Sequence, residues 1–273
     1  MSFKKRFGQH FLKDTGVLDR IIRLIHPQET DCILEIGAGD GALSTRFALR
    51  VKALLAVEMD PDWLAVLERR LSGYPGAQVQ AGDILEMDLQ GLLKPFVGHA
   101  VLRAAGNLPY NIATAAIERL ISLRLPFEDM TFMVQYEVAR RIVAAPGSRD
   151  YGQLSAYCQH VSEVSLAFTV SPACFVPRPK VKSAVVVFRP HQRRWETALE
   201  RRFLSVLKAA FAYRRKTIAN SLGRDPVLGA ISGTLLERAG IEGMRRAEEL
   251  AVEEFENLAR ALASMGSDQD AGK

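Results

Sequence analysis

The chain has few of the residues that build disulfide or metal sites. Its 273 residues include only three cysteines, Cys32, Cys158 and Cys174, and five histidines. The cysteines are isolated and odd in number, and none stands in a C-x-x-C pair. This spacing predicts neither a disulfide framework nor a zinc site. We therefore expect a protein of a reducing compartment that holds no metal.

Long apolar runs are also missing. No segment approaches the roughly 20 apolar residues of a membrane-spanning helix. The basic N-terminus is not followed by the apolar stretch of a signal peptide. We expect a soluble, cytoplasmic protein with no membrane association. Apolar residues nevertheless make up 48% of the chain, which is enough for a full core and for two domains.

The net charge is small, so the location of the charges is the informative feature. There are 36 Lys and Arg against 31 Asp and Glu, a net charge of +5. The excess is concentrated in the basic N-terminus and in the segment 193–224. Two basic segments on either side of a nearly balanced middle indicate a polyanionic partner. A solvated helix face is the alternative.

Short apolar runs alternate with helical patterns over the first two thirds of the chain. The runs are 33–36, 53–58, 78–81, 100–105 and 130–134. This alternation predicts βαβ units and a parallel sheet. After Pro190 the pattern becomes helical and basic. We expect an α/β domain over 1–190 that includes a basic arm at 1–14, an all-helical domain over 191–266 and a disordered polar tail at 267–273.

A glycine-rich loop follows the first of these runs. Residues 37–42 fit the pattern G-x-G-x-x-G/A, and Glu58 lies about twenty residues further on, where an acid accepts ribose hydroxyls. These two features fit NAD as well as S-adenosylmethionine. Glu35 favours the second, because a carboxylate there opposes a cationic or amino-bearing ligand and gains nothing from a pyrophosphate. Asp83 ends the third run, where it can accept from an adenine amino group.

The fourth run ends in Asn107-Leu108-Pro109-Tyr110, which suits a flat aromatic amine. The Asn107 side-chain oxygen and the carbonyl of Leu108 or Pro109 can each accept one hydrogen of an exocyclic NH₂, and Tyr110 can stack on the base. Phe175, on a loop stiffened by two prolines, is the candidate for the base's other face. The alternatives are an ordinary turn at 107–110 and a core position for Phe175.

With these residues the chain resembles the ribosomal RNA adenine N6-dimethyltransferase family, in its bacterial small-subunit branch. The resemblance covers nearly the whole chain through the segments 6–12, 35–42, 57–60, 82–83, 106–112, 151–155, 175–181 and 211–217. It implies a doubly wound, Rossmann-like class I methyltransferase sheet with a small all-helical C-terminal domain. The implied reaction is methyl transfer from S-adenosylmethionine to N6 of two adjacent adenosines near the 3′ end of 16S rRNA, during 30S subunit biogenesis.

The resemblance also implies site residues. Cofactor contacts would come from His10, Leu12, Gly37, Glu58, Asp83 and Asn107. RNA contacts are expected from Arg6, Arg178, Lys180, Arg214, Arg215 and Lys216. The chain departs from the family pattern at His10, where Asn is usual, at Ala38, where Pro is frequent, and at Lys182, where Asp is usual. The partner would be the 30S particle, and we expect the enzyme to be a monomer.

Three other functions compete with this interpretation. One is a large-subunit rRNA methyltransferase of the macrolide-resistance type, which the segment 211–222 and the long C-terminal domain disfavour. The second is an NAD-dependent oxidoreductase, which leaves residues 107–110 unexplained. The third is a non-catalytic RNA-binding or ribosome-assembly factor, which the intact Glu58, Asp83 and Asn107 disfavour.

Overall fold

The structure, a computed structural model, describes residues 10–192, 195–213 and 215–270. The chain divides into two compact units. The first comprises the chain up to Ala139 together with Val164–Pro190, and the second comprises Arg140–Glu163 and the chain from His191 onward. In the described ranges, no helix has both the length and the apolar character needed to cross a membrane.

The first unit is built on a seven-stranded sheet. Its strands are β2 (Asp31–Ile36), β3 (Ala53–Glu58), β4 (Ala77–Ala81), β5 (Val101–Asn107), β6 (Phe127–Gln135), β7 (Ser162–Val170) and β9 (Ser183–Pro190). They are ordered β4-β3-β2-β5-β6-β9-β7. The five strands from β2 to β6 run parallel, and β9 is antiparallel to β6. The α/β prediction and all five predicted strands are confirmed.

The strand order reverses direction between β2 and β5, which are neighbours in the sheet. β2 pairs with β3 on one side and with β5 on the other. In open α/β sheets, ligands bind in the crevice outside the carboxyl ends of the strands at such a switch point. The fold therefore places a binding cleft where β2 and β5 end.

Helices cover the sheet. The first unit contains α1 (Thr15–Ile25), α2 (Ser44–Ala48), α3 (Pro61–Leu71), α4 (Leu89–Leu93) and α5 (Ala113–Ser122), and α6 (Tyr136–Ile142) crosses into the second unit. Every residue of β2 and of β3 is buried, as expected for parallel strands that helices cover on both faces. α1 is capped by Asp14, which accepts from the Val17 N–H, and it buries an apolar stripe that includes Leu18 and Ile22.

A second, very small sheet lies beside the cleft. β1 (Phe11–Leu12) pairs antiparallel with β8 (Phe175–Val176), so that Leu12 lies opposite Phe175. Lys13 extends this connection, because its backbone N–H donates to the Cys174 carbonyl at 2.8 Å and its ammonium pairs with the buried Asp40. This pairing holds the described end of the N-terminal arm against the first unit.

The second unit is helical. It contains α7 (Gln153–Val161), α8 (Thr197–Phe211), α9 (Ile218–Leu222), α10 (Ser232–Ala239) and α11 (Val252–Asp270). His160 of α7 stacks on Phe203 of α8, with ring centroids 3.8 Å apart, and hydrogen-bonds Glu200 and Glu256. These contacts tie α7 to α8 and α11.

The predicted domain limits need two corrections. The helical unit includes 140–163 in addition to the chain after residue 190, because the apolar face of α7 packs on α8 and α11. The tail predicted as disordered over 267–273 is helical up to Asp270, where α11 ends. Residues 271–273 lie outside the described residues.

Candidate active site

The carboxyl ends of β2, β3, β4 and β5 meet at one cleft. It contains about 1030 Å³ of space that no protein atom fills, part of it open to solvent. Each of the six residues expected to contact the cofactor lines it: His10, Leu12, Gly37, Glu58, Asp83 and Asn107. The structure thus brings together residues separated by up to 97 positions in the sequence.

The glycine turn lies directly against the end of β5. Gly37 has a φ of +67°, a conformation that favours glycine. A Cβ at Gly37 would lie 3.2 Å from Pro109 Cδ and 3.4 Å from the Asn107 carbonyl oxygen. The prediction that residues 107–110 and the glycine turn face the same cleft is therefore confirmed.

Glu58 is a buried carboxylate that organises the backbone around it. It is 7% exposed, and it accepts the N–H groups of Gly39 at 2.8 Å and of Met59 and Asp60 at 2.9 Å each. Burial raises its pKa, and these three hydrogen bonds oppose the rise. A carboxylate offers about four acceptor positions. Three of them are used by the backbone, so the position that remains available to a ribose hydroxyl is on Oε2.

Glu35 lies deeper in the cleft. It is 2% exposed, and its Oε2 has no hydrogen-bond partner among the described residues. Burial, with a smaller contribution from the negative charge of Glu58, raises its pKa to about 8. A buried carboxyl oxygen without a partner is costly unless a ligand satisfies it. Glu35 therefore suits a ligand that brings a positive charge or a donor into the cleft.

The orientation of the Asn107 amide is determined by its contacts. Nδ2 donates to the backbone carbonyl of His10 at 2.7 Å. A carbonyl oxygen can only accept, so the amide nitrogen must be on that side, and Oδ1 is left for a ligand. Leu108 is held by its own N–H, which donates to the Met133 carbonyl at 3.0 Å.

The sequence left open whether the carbonyl of Leu108 or that of Pro109 is the second acceptor, and their contacts in the structure differ. The Pro109 carbonyl accepts the Ile112 N–H at 3.1 Å in the turn that leads into α5. The Leu108 carbonyl is therefore the better acceptor for a ligand beside Asn107 Oδ1.

Tyr110 is held at both its tip and its face. Its hydroxyl is 2.7 Å from Ser183 Oγ, and its ring lies against the His10 ring, with centroids 5.2 Å apart. His10 Nδ1 is 2.7 Å from the Pro177 carbonyl, so this nitrogen carries a hydrogen. The sequence prediction missed Ser183, because a single serine at the start of a strand has no distinguishing pattern.

Asp83 and Leu12 also line the cleft. Asp83 Oδ1 accepts the Leu85 N–H at 2.9 Å, which directs the carboxylate and leaves Oδ2 for a ligand. Leu12 is buried and supplies part of the apolar wall of the cleft. The cleft thus combines acidic acceptors at three strand ends with apolar walls.

A model of the ribosomal RNA adenine dimethylase family matches residues 1–264. The chain belongs to this family. Its enzymes use S-adenosylmethionine, and this dimethylase is an S-adenosylmethionine-dependent rRNA adenine dimethyltransferase.

Curated relatives and solved structures agree with the family. A protein of Coxiella burnetii is 40% identical over 265 residues, which cover 96% of this chain and 98% of the relative. One of Pseudomonas fluorescens is 40% identical over 261 residues, covering 95% and 94%. Both are named ribosomal RNA small subunit methyltransferase A.

Two solved structures share the fold of the dimethylase. A dimethyladenosine transferase from Plasmodium falciparum has a TM-score of 0.80 at 24% identity and covers 94% of this chain and 98% of its own. The 23S rRNA methyltransferase ErmE has a TM-score of 0.69 at 25% identity, with 93% and 99% covered. The expected class I methyltransferase fold is confirmed.

The residues of the cleft fit S-adenosylmethionine. The unpartnered Oε2 of Glu35 suits the amino group of its methionine part, and the available position of Glu58 suits a ribose hydroxyl. At Gly37, a side chain would fill the space between the turn and Pro109. These acceptors match the donors of the cofactor.

Phe175 is not where the sequence prediction placed it. Its side chain is 2% exposed and packs within the apolar core of the first unit, with Leu12 and Leu18 among the members of that core. The pairing of β1 with β8 turns it inward, so it does not line the cleft. The core position that was the alternative is correct in this structure.

The predicted RNA contacts lie on the surface where the structure describes them. Arg178 and Lys180 are exposed on the proline-rich loop of the first unit, and Lys182 beside them is also exposed. Arg215 and Lys216 are exposed in the second unit. Arg6 and Arg214 lie outside the described residues.

Proposed function

We propose that the dimethylase methylates N6 of two adjacent adenosines near the 3′ end of small-subunit rRNA, during 30S subunit biogenesis. The observation that carries the chemistry is the end of β5: its Asn107 main-chain carbonyl and Pro109 lie against the glycine turn, and the Asn107 amide is oriented so that Oδ1 is left for a ligand. We assign Asn107 Oδ1 and the Leu108 carbonyl as the acceptor pair for N6. The names of the relatives support the small subunit as the substrate.

The acceptor pair addresses the weak nucleophilicity of adenine N6. The N6 lone pair is delocalised into the ring, and two acceptors that each take one N6 hydrogen favour a pyramidal nitrogen with a localised pair. S-adenosylmethionine, when bound, supplies a methyl group carried by a positively charged sulfur. A preorganised dipole of this kind lowers the activation free energy by about 3 kcal/mol. Orientation of the nitrogen towards the methyl group lowers it further.

The first methylation changes what the pair can do. Monomethylated N6 carries a single hydrogen, so only one of the two acceptors is hydrogen-bonded in the second transfer. The chain's remaining contribution is to hold the base in place. We assign this role to Tyr110, which lines the cleft and whose ring can stack on the base.

The target adenine has to leave its helix or stack to reach this cleft. The exposed cations Arg178, Lys180, Arg215 and Lys216 would bind the surrounding RNA through phosphates, which position the substrate without reading its sequence. We assign the same role to Arg6 and Arg214 from the sequence. We further propose that the enzyme acts as a monomer in the cytoplasm, where small subunits are assembled.

The 23S rRNA methyltransferase ErmE shares the fold at lower identity. Substrate choice is therefore tested directly. The dimethylase is incubated with radiolabelled methyl donor and either 30S particles or free large-subunit rRNA, both from ribosomes that lack the modification. We expect N6-dimethyladenosine in the 30S particles alone. Label in large-subunit rRNA, or none in either substrate, would overturn the proposal.

The acceptor pair is tested with Asn107→Ala. We expect turnover to fall at least tenfold, because one of the two N6 acceptors is lost, while RNA affinity stays within about twofold since phosphate contacts dominate it. Single-turnover methylation and filter binding measure the two quantities. Asn257→Ala, at an exposed position of the helical unit, is the matched control. Unchanged turnover in Asn107→Ala would refute the role.

A further inference from the structure

Tyr110 has a hydrogen-bond partner, Ser183, that lies in no recognised motif of the sequence. The hydroxyl of Tyr110 and the Oγ of Ser183 are 2.7 Å apart. Ser183 is the first residue of β9 and is completely buried, so its hydroxyl has no access to water. Most buried hydroxyls have a hydrogen-bond partner, and for Ser183 that partner is Tyr110.

The position of Ser183 is itself rigid. It pairs with Gln135 in the ladder between β6 and β9. The neighbouring Lys182 carbonyl accepts the Tyr136 N–H at 3.0 Å, which extends the contact beyond the strands. Ser183 therefore presents a fixed hydroxyl to the tip of the Tyr110 side chain.

Tyr110 lies outside the strands and helices of the first unit. It lies in the turn between the end of β5 and α5, and its side chain lines the open cleft. The ring can rotate about χ1 and χ2 unless its far end is restrained. The restraints in the structure are the His10 ring against its face and the Ser183 hydroxyl at its tip.

We propose that Ser183 is a positioning residue for methyl transfer: through its hydrogen bond it fixes the plane of the Tyr110 ring, and through that ring the orientation of the stacked adenine. The inference rests on the proposed role of Tyr110 as the stacking group. Ser183 touches neither the base nor the methyl donor in this assignment. Ser183 acts on the rate by keeping N6 correctly placed beside Asn107. Small misplacements of a reacting atom slow the reaction.

Two single variants test the hydrogen bond from its two ends. Ser183→Ala and Tyr110→Phe each remove one hydroxyl and keep the rest of the side chain. We expect each to lower kcat about three- to tenfold, the usual effect of one hydrogen bond, with KM and the Kd for RNA within about twofold of the unchanged enzyme. If Ser183→Ala does not fold, Tyr110→Phe still carries the test.

The double variant separates positioning from general destabilisation. If Ser183 acts only through the Tyr110 hydroxyl, Ser183→Ala in the Tyr110→Phe background has no further effect on kcat. Ser183→Thr, which keeps a hydroxyl, should restore most of the activity. Ser162→Ala is the matched control, since Ser162 is a buried serine whose Oγ has no hydrogen-bond partner among the described residues. It should leave kcat unchanged.

A spectroscopic measurement reports the stack itself. An RNA with 2-aminopurine at the target position binds without reacting, because that base lacks the N6 amine, and stacking on an aromatic ring quenches its fluorescence. We expect Ser183→Ala and Tyr110→Phe to weaken the quenching equally. Effects on kcat that add in the double variant, or quenching that stays unchanged in both, would overturn the inference. The proposed function fails separately, if the unaltered enzyme does not methylate 30S particles.

Discussion

At the scale of single residues, the cleft is organised by polar groups whose partners are largely backbone atoms. Asn107 is oriented by the His10 carbonyl, and Glu58 by three N–H groups of the segments around it. Glu35 is the exception, because its Oε2 has no described partner and its pKa is raised to about 8. This carboxyl is therefore the residue whose state should change most when the cofactor binds.

Cofactor binding should release a proton from Glu35. At pH 7 a carboxyl of pKa about 8 is mostly protonated, whereas a cationic amino group beside it favours the ionised form. Binding of S-adenosylmethionine should therefore release close to one proton at pH 7, and its affinity should rise from pH 6 to pH 8. Calorimetry in two buffers of different ionisation enthalpy measures the release.

Glu35→Gln tests whether Glu35 is the group that releases the proton. In Glu35→Gln the group cannot titrate, so the release should disappear and the affinity should be weaker and flat over the same pH range. Glu68→Gln, at an exposed position of α3, should behave like the unchanged protein. Equal proton release by the unchanged protein and Glu35→Gln would show that Glu35 stays in one state.

At the scale of elements, the approach of β2 to β5 decides whether the cleft exists. Gly37 follows β2 and Asn107 ends β5, and the two strands pair directly. Gly106 makes this approach possible, because a Cβ there would lie 2.2 Å from the Ile36 carbonyl oxygen, a contact with backbone that no rotamer relieves. The glycine thus has a packing role in addition to any local one.

Gly106→Ala should separate the ends of β2 and β5. We expect a loss of about 1–3 kcal/mol in the free energy of unfolding, the usual cost of overpacking, and at least tenfold weaker cofactor binding. Urea unfolding and calorimetry measure these. Gly73→Ala is the control, because no atom lies within 4 Å of the added Cβ. Equal stability of both variants would contradict the steric argument.

At the scale of the whole molecule, the exposed positive charges fit the proposed binding of a polyanion, RNA. The net charge is only +5, yet exposed cations lie on the proline-rich loop of the first unit and on the segment before α9 in the second. Phosphate contacts release counterions, so affinity for RNA should depend on salt in proportion to their number. Each exposed cation that contacts a phosphate should therefore add its own contribution to the salt dependence of RNA affinity.

RNA affinity should fall steeply with added salt. Replacement of Arg178, Lys180, Arg215 or Lys216 by Ala should each reduce the slope of log K against log salt by about one. Lys52→Ala should leave the slope unchanged, because Lys52 is exposed just before β3, at the amino ends of the parallel strands and away from the cleft. A flat salt response of the unchanged protein would remove the basic segments from RNA binding.

Sequence pattern alone was sufficient to predict the parallel sheet and the meeting of several acidic and amide side chains at one edge of it. Short buried runs that alternate with helical patterns specify parallel strands, and the carboxyl ends of parallel strands meet at one edge. Glu58 ends a run, and Asp83 and Asn107 each lie two residues beyond the end of one, so their convergence follows from local pattern alone. The proposed N6 acceptors within residues 107–109, with the choice between the Leu108 and Pro109 carbonyls left open, were predicted from this pattern.

The orientation and burial of the individual groups, in contrast, depend on contacts between distant segments. The carbonyl that fixes the Asn107 amide is 97 positions away, and the hydroxyl that holds Tyr110 is 73 positions away. Phe175 turned into the core because β8 pairs with β1, and residues 140–163 joined the helical unit because α7 packs on α8 and α11. Local pattern carries no information about such contacts, since each depends on where a distant segment packs.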